Sequence, residues 1–487
     1  MTDIIKLDPL TNKKASGQRI SKVFTGQEFH IMELDAKGVQ GTINQLKKNI
    51  PAVASKSPAA YIRIFEQASR IWMDPHSDFR KEAVRVLSFV SGKSKKLIEE
   101  ELDITAEFLA SENIERVLKY EIGNRNDKGL EYLEGWVDEG LFQTHIAPKP
   151  GIAFHNLAGN TIIVPVLSSV YGLLAQKASL LKLSSADPYF GHIFVRSLWS
   201  IEPSLRKVLN AAYWSGTNHK VYERLFPNLA DHYVVQWGGG KSTATIQRYC
   251  EKYNVKKLVN HGPRISFEVI ENGNPTMAYD IAKYDVILWE QQSCSSPRFI
   301  FVLADEKGCQ DFAGQLAASF TEIAEIIPKT LGKGHLNFIA VQENYKKKLE
   351  LSGRGWVYFS KESGWGVIYS KDKPTFDDVN ACNGRVLFVS PIKNLEEVIQ
   401  YVDNMKLSPY LQIMGYDGDD QEFCKRIGAK GAALITYPGE MNYRMGGVNH
   451  DGMYNLRELM DPIIVSRQKK IKLMTDALKA VKRSSRS

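Results

Sequence analysis

Apolar and polar positions divide the chain into a helical stretch followed by a long alternation of strands and helices. From Gly41 to about Tyr120 the apolar period is that of a helix. Tyr61, Ile64, Phe65, Ala68 and Ile71 fall on one face, as do Ala83, Val86, Leu87 and Val90. Residues 1–40 are mixed, with a short strand expected at Phe29 to Leu34, while Gly92, Asn113 and the Gly123–Gly129 region punctuate the helices. This part predicts a helical layer that packs on a sheet and carries no catalytic constellation of its own.

From about Pro148 the period switches. Gly151 to Phe154 reads as a strand, then a helix from Thr161 to Gln176, a strand from Ser179 to Leu183 and a helix near Asp187 to Trp199. Tyr233 to Trp237 is a further strand, followed by Gly238-Gly239-Gly240, a helix from Lys241 to Tyr253 and a strand at Lys257 to Asn260. Such repeats predict a parallel sheet whose ligands sit at the loops leaving the strands' carboxyl ends. After a hinge at Gly273–Pro275 the alternation resumes: a helix from Thr276 to Glu290, the strand Phe299 to Leu303 and a helix from Cys309 to Ile327. Then come Val386 to Val389, a helix from Leu395 to Met405, Leu411 to Met414, a helix near Gln421 to Ile427 and the strand Ala432 to Thr436. The expected organisation is α/β throughout. It has a largely helical layer over 1–130, a Rossmann-like dinucleotide-binding domain over 131–272, a second α/β domain over 273–445 and a C-terminal segment over 446–487. A cleft between the two α/β domains is where substrate and cofactor are expected to meet.

Candidate chemistry sits in the stretch Asp285 to Leu303. The apolar run Val286-Ile287-Leu288-Trp289 gives way to Glu290-Gln291-Gln292-Ser293-Cys294-Ser295-Ser296-Pro297 before the strand resumes. A nucleophilic thiol needs such a hinge of small and amide residues, with partial access and backbone N–H groups able to hold developing negative charge. The alternative is a buried, inert cysteine.

At 487 residues the chain suits two or three domains, with 43% hydrophobic and 24% charged content typical of a soluble globular protein. The net charge of +8 is concentrated at one end: residues 466–487 carry eight basic side chains against Asp476 alone. The body therefore has no basic footprint for nucleic acid, and the tail reads first as a solvated helix end. Five cysteines without a CxxC pair argue against a disulfide framework or a zinc site and for a reducing cytoplasm. The N-terminus lacks a signal-peptide core, and the longest apolar stretch, Thr161 to Ala175, is too short to span a bilayer.

Gly238-Gly239-Gly240-Lys241-Ser242-Thr243 after a strand imitates a phosphate-binding P-loop. The motif needs a glycine five residues before Gly240, where Val235 stands inside the strand. What survives is a glycine-rich turn that permits close approach of a dinucleotide pyrophosphate to a helix N-terminus.

In this order, these landmarks resemble the aldehyde dehydrogenase superfamily, over roughly residues 148–465. More narrowly they resemble the acyl-CoA and acyl-protein thioester reductases typified by the fatty-acid reductase of bacterial luminescence (LuxC-type). Gln291-Gln292-Ser293-Cys294-Ser295-Ser296-Pro297 is the sharpest match, supported by Ala158-Gly159-Asn160 and Leu181-Lys182-Leu183. The resemblance implies that Cys294 accepts the acyl group and that Asn160, with the Cys294 backbone N–H, forms the oxyanion hole; a helix N-cap before Thr161 is the other reading of Asn160. It places Lys182 at the adenosine ribose and Gly238 and Gly239 near the dinucleotide. Ser185 stands where NAD-preferring relatives carry a glutamate, which favours NADPH over NADH, although Lys182 also reads as an exposed strand-end lysine. Acid-forming relatives present a glutamate base in a segment that matches Asn260-His261-Gly262-Pro263-Arg264. Asn260 takes the glutamate's place, and an amide cannot deprotonate water, unless His261 or Glu290 serves instead. No Glu-x-Phe-Gly-Pro segment is clear near Gly384–Pro391, so nicotinamide-ribose contacts do not transfer.

The resemblance thus implies NADPH-dependent reduction of a long-chain acyl thioester, from CoA or an acyl-protein, to an aldehyde through a thioacyl-cysteine. It further implies an acyl-protein synthetase partner, a homo-oligomer and a luminescence reaction that consumes the aldehyde. The rival readings are an acid-forming or short-chain acylating aldehyde dehydrogenase and a non-catalytic scaffold subunit.

Overall fold

The computed structural model describes residues 5–7, 16–122, 137–138, 142–147, 149–332, 334–443 and 445–466, together with 476, 478 and 479. The Gly123–Gly129 punctuation and most of the basic tail lie outside the described residues.

The first sheet is built from strands that are apolar on both faces, as a sheet covered by helices on both sides demands. Gly151–Asn156 and Lys177–Lys182 are buried at every position, and the helix between them, Ile163–Leu174, is buried all round. The sheet has five parallel strands in the order Lys257–His261, Tyr233–Trp237, Gly151–Asn156, Lys177–Lys182, Leu209–Ala212. Chain order reverses between Gly151–Asn156 and Tyr233–Trp237, so the crevice opens where these two strands end, at Asn156 and Trp237.

The N-terminal helices bury their apolar faces on this sheet's helices. Helix Pro58–Met73, capped by Ser57, turns Tyr61, Phe65, Ala68 and Trp72 inward. Trp72 packs 5.5 Å from Phe190, and its Nε1 donates to Ser197 Oγ at 3.0 Å, both residues on helix Phe190–Ile201. Helices and sheet share one continuous core. The strand expected at Phe29–Leu34 is Gln27–Leu34, hairpin-paired with Gly17–Phe24.

The second sheet has seven strands: Gly355–Ser360, Trp365–Ser370, Val386–Ile392, Pro297–Leu303, Ile265–Ile270, Leu411–Tyr416 and Leu434–Thr436, all parallel except the first pair. Ile265–Ile270 was not expected as a strand, because Glu268 interrupts its apolar run; here Glu268 is fully buried. This strand moves the change of sheets to Gly262–Arg264, ahead of the boundary expected at 272. A second correction concerns the helix expected from Thr276 to Glu290. The α-helix Pro275–Asp280 is followed by a π-helical stretch, Ile281–Ile287, in which Leu288 N–H bonds to Lys283 O and Gln291 N–H to Val286 O.

The C-terminal segment returns to the first sheet. Leu456, Leu459 and Met460 enter its core, and Asp461–Ser466 pairs antiparallel with Phe142–Ala147. Among the described residues no helix is long and apolar enough to cross a membrane.

Candidate active site

Between the two sheets lies a cleft of about 500 Å³. The first sheet contributes the loop after Gly151–Asn156 (Ala158, Gly159, Asn160) and the turn after Tyr233–Trp237 (Gly238, Gly239). The crossing segment brings His261 to Arg264, the Cys294 loop brings Gln292 to Ser295, and the C-terminal segment adds Asn442, His450 and Asp451. Four of the six residues singled out from the sequence, Cys294, Asn160, Gly238 and Gly239, thus line one cleft. Lys182 and Ser185 do not line it, although their neighbour Ala186 does.

The π-helical turn positions the loop that carries Cys294. Asp285 points inward and accepts the backbone N–H groups of Gly439, Met441 (2.8 Å) and Asn442 (3.4 Å). Glu290 and Gln291 then reverse the chain with φ of 51° and 55°, a left-handed conformation that non-glycine residues adopt only where tertiary contacts hold them. The Gln291 side chain supplies such contacts, donating to Pro297 O (2.8 Å) and Val386 O (2.6 Å) and accepting from Val386 N–H (2.9 Å). Asn442 holds the far side: Nδ2 donates to Asp285 O (2.8 Å), Tyr284 O (3.0 Å) and Ser296 Oγ (3.1 Å), while Oδ1 accepts from Ser295 Oγ (2.6 Å). Cys294, half-buried, sits between these anchors, and its carbonyl accepts Ser266 Oγ at 2.8 Å. Arg298 also lines the cleft and interacts electrostatically with Cys294.

Asn160 Nδ2 donates to Gln292 O at 2.8 Å and ties the first sheet's loop to the Cys294 loop. Helix Ile163–Leu174 has no side-chain cap, so Asn160 does not serve as its N-cap. Gly159 is required by close approach, since a Cβ there would stand 2.7 Å from Ser184 Cβ. Gly238 has a φ of 105°, which only glycine adopts readily. Beyond it, helix Lys241–Lys252 turns its N-terminus toward the glycine turn. The strand and helix around this turn stand as the sequence predicted, with Val235 inside the strand, so the P-loop resemblance is spurious.

Lys182 is not the exposed strand-end lysine that was the other reading. It is 6% exposed, and burial, with the charge of Lys22, pushes its ammonium down to about 8. Lys22 Nζ reaches Ser185 O at 3.5 Å.

The base candidates resolve. Glu290 is locked in a buried, two-pronged pair with Arg385, at 3.0 and 3.2 Å from Nε, and does not line the cleft. Asn260 does not line it either; its neighbour His261 does. His261 Nδ1 lies 2.8 Å from Asp451 Oδ2, and its ring stacks on Trp237 with centroids 4.0 Å apart. The ligand atoms of His261, His450 and Asp451 lie within 4.8 Å of one another, a clustering that CxxC spacing does not reveal. Sequence reasoning missed Asn442, His450, Asp451 and Arg298. The one signal for three of them is a run of amide, histidine and aspartate residues in the glycine-rich loop 439–452.

Against proteins already known, the family model for LuxC acyl-CoA reductase matches residues 53–461. The chain belongs to the LuxC family of acyl-CoA reductases. The long-chain acyl-protein thioester reductase of Aliivibrio fischeri is 23% identical over 394 residues, covering 80% of this chain and 78% of that one. Its counterpart from Photorhabdus luminescens is 25% identical over 397 residues, with the same coverage. Among solved structures, an NADP-dependent enzyme of E. coli superposes with a TM-score of 0.68 at 12% identity, covering 95% of this chain and 97% of that one. An NAD-dependent aldehyde dehydrogenase from Sinorhizobium meliloti gives 0.69 at 14%, covering 95% of each. The LuxC-family chain therefore has the aldehyde dehydrogenase fold that the sequence resemblance implied.

Proposed function

We propose that this protein reduces a long-chain fatty acyl thioester, carried by CoA or by an acyl-protein, to the aldehyde, with NADPH as reductant and Cys294 as acyl acceptor. The observation that carries this reading is the convergence of Cys294 and Asn160, from two different sheets, on one cleft. Cys294 Sγ attacks the thioester carbonyl, and the oxyanion is held by Asn160 Nδ2 and the Cys294 N–H until the carrier thiol leaves. Bound NADPH supplies the hydride that converts the thioacyl group to aldehyde. The Gly238–Gly239 turn and the helix N-terminus behind it would hold the pyrophosphate, and Lys182 with Ser185 the adenosine ribose and its 2′-phosphate. Absence of a carboxylate at Ser185 favours that phosphate. The acyl-protein thioester reductase relatives support an acyl-protein donor, and with it a synthetase partner; a luminescence reaction is the destination the resemblance implies for the aldehyde.

A second reading, acid formation, is favoured by the His261–Asp451 pair, a base in the cleft. Incubation with tetradecanoyl-CoA and NADPH separates the two: aldehyde with matching NADPH consumption is expected, and acid without aldehyde defeats the proposal. Intact mass after acyl-CoA alone should gain one acyl group, which Cys294→Ala abolishes.

A further inference from the structure

The acyl-transfer chemistry above leaves one cleft side chain without a task. His261 ends the strand Lys257–His261 and is 4% exposed, between the Trp237 ring at 4.0 Å and the His450 ring at 4.7 Å. Its Nδ1 meets Asp451 Oδ2 at 2.8 Å. Asp451 takes a left-handed φ of 57°, a conformation tolerated by aspartate, which delivers its carboxylate to the imidazole. Burial raises this carboxyl, but the hydrogen bond to His261 and the charges of His450, His261 and Arg264 outweigh it and hold it well below the usual range. An ionised carboxylate only accepts, so whenever the ring is neutral its proton sits on Nδ1 and the Nε2 lone pair is left open. That Nε2 is buried and has no hydrogen-bond partner. A buried polar atom left so costs stability, and such atoms persist where function uses them. The residue lines the same cleft as Cys294.

We propose that His261 is the proton carrier of acyl transfer, Asp451 being the residue that positions it. This rests on the thioester reading above. As the Cys294 Sγ–C bond forms, the thiol proton passes to His261 Nε2. As the C–S bond to the carrier breaks, the departing thiolate takes that proton back, so the imidazole ends neutral and no oxidant or reductant is consumed. The arrangement is a histidine oriented by a carboxylate and serving a nucleophile across the site. The charged groups around the ring are Asp451, His450 and Arg264, with Arg298 and Cys294 lining the same cleft.

The test needs no nicotinamide. Tetradecanoyl-CoA is mixed with the full chain, and thiol release and intact mass are followed against pH. The unaltered protein should acylate with a rate that rises on a base limb. His261→Gln should acylate about 100-fold more slowly and lose that limb, and added imidazole should restore part of the rate to His261→Ala. Acylation of His261→Gln at the original rate and pH profile overturns the proposal. So does acylation by the unaltered protein that is flat with pH, an arm that stands even if the variants do not fold. Failure of the unaltered protein to acquire an acyl group instead sinks the thioester reading beneath it.

Discussion

Asn160 shows how a single amide couples two sheets. Its Nδ2 donates to Gln292 O at 2.8 Å, and its Oδ1 is buried without a partner, so the group is oriented by the loop it would serve. Replacing Asn160 with Asp keeps the shape and removes both donors. Turnover of tetradecanoyl-CoA should fall about 10²- to 10³-fold, as measured by NADPH consumption, with the fold verified by thermal melting. At this scale Cys294 was legible because a run of small and amide residues between two apolar segments is a local signal. The burial of Lys182 and the capture of Glu290 by Arg385 were not, because each depends on a neighbour distant in the chain.

Among the elements, the π-helical turn and the loop 439–442 form one clamp around the loop that carries Cys294. Asn442 is its hinge pin, making four hydrogen bonds to Tyr284, Asp285, Ser295 and Ser296. Asn442→Ala leaves two main-chain carbonyls and two hydroxyls short of partners. It should lower stability by about 3 kcal/mol, read from urea unfolding, and cut turnover at temperatures where the variant is still folded. Beneath the clamp, Glu268 and Asp285 face each other in full burial. Burial and the charge of Asp285 raise Glu268 well above the carboxylate range; burial raises Asp285 to about 7, against the lowering effect of the backbone N–H groups of Gly439, Met441 and Asn442. Strands with unbroken apolar runs were legible at this scale. Ile265–Ile270 was not, since an ionisable residue in the middle of a central strand contradicts its period. The π-helical turn was equally hidden: helical periodicity does not register one added residue whose cause is a loop some 150 positions later.

At the scale of the molecule, buried carboxyls make stability depend on pH. Glu121, at the end of helix Ser111–Ile122, accepts the Leu456 N–H at 2.6 Å and pins the C-terminal segment to the N-terminal helices. Burial raises it from 4.5 to about 8, more than the bonds from Leu456 and Arg457 lower it. The folded state therefore keeps a proton that the unfolded chain releases near 4.5, and stability falls as pH rises from there through about 8. Glu121→Gln, which retains the acceptor and cannot ionise, should melt higher than the unaltered protein at pH 8 and show no such gain at pH 5, as thermal melts across this range would record.

The α/β alternation, the helical character of residues 41–120 and the small-residue hinge that carries Cys294 were legible in the sequence alone. Each is written in apolar periodicity or in a contiguous motif. Tertiary structure decided where one sheet ends and the next begins, which of two neighbouring residues, Asn260 or His261, faces the cleft, and that a loop near the C-terminus closes it. Those outcomes turn on strand pairing and on polar groups whose partners lie more than a hundred residues away, and a pattern read along the chain carries no trace of such distances.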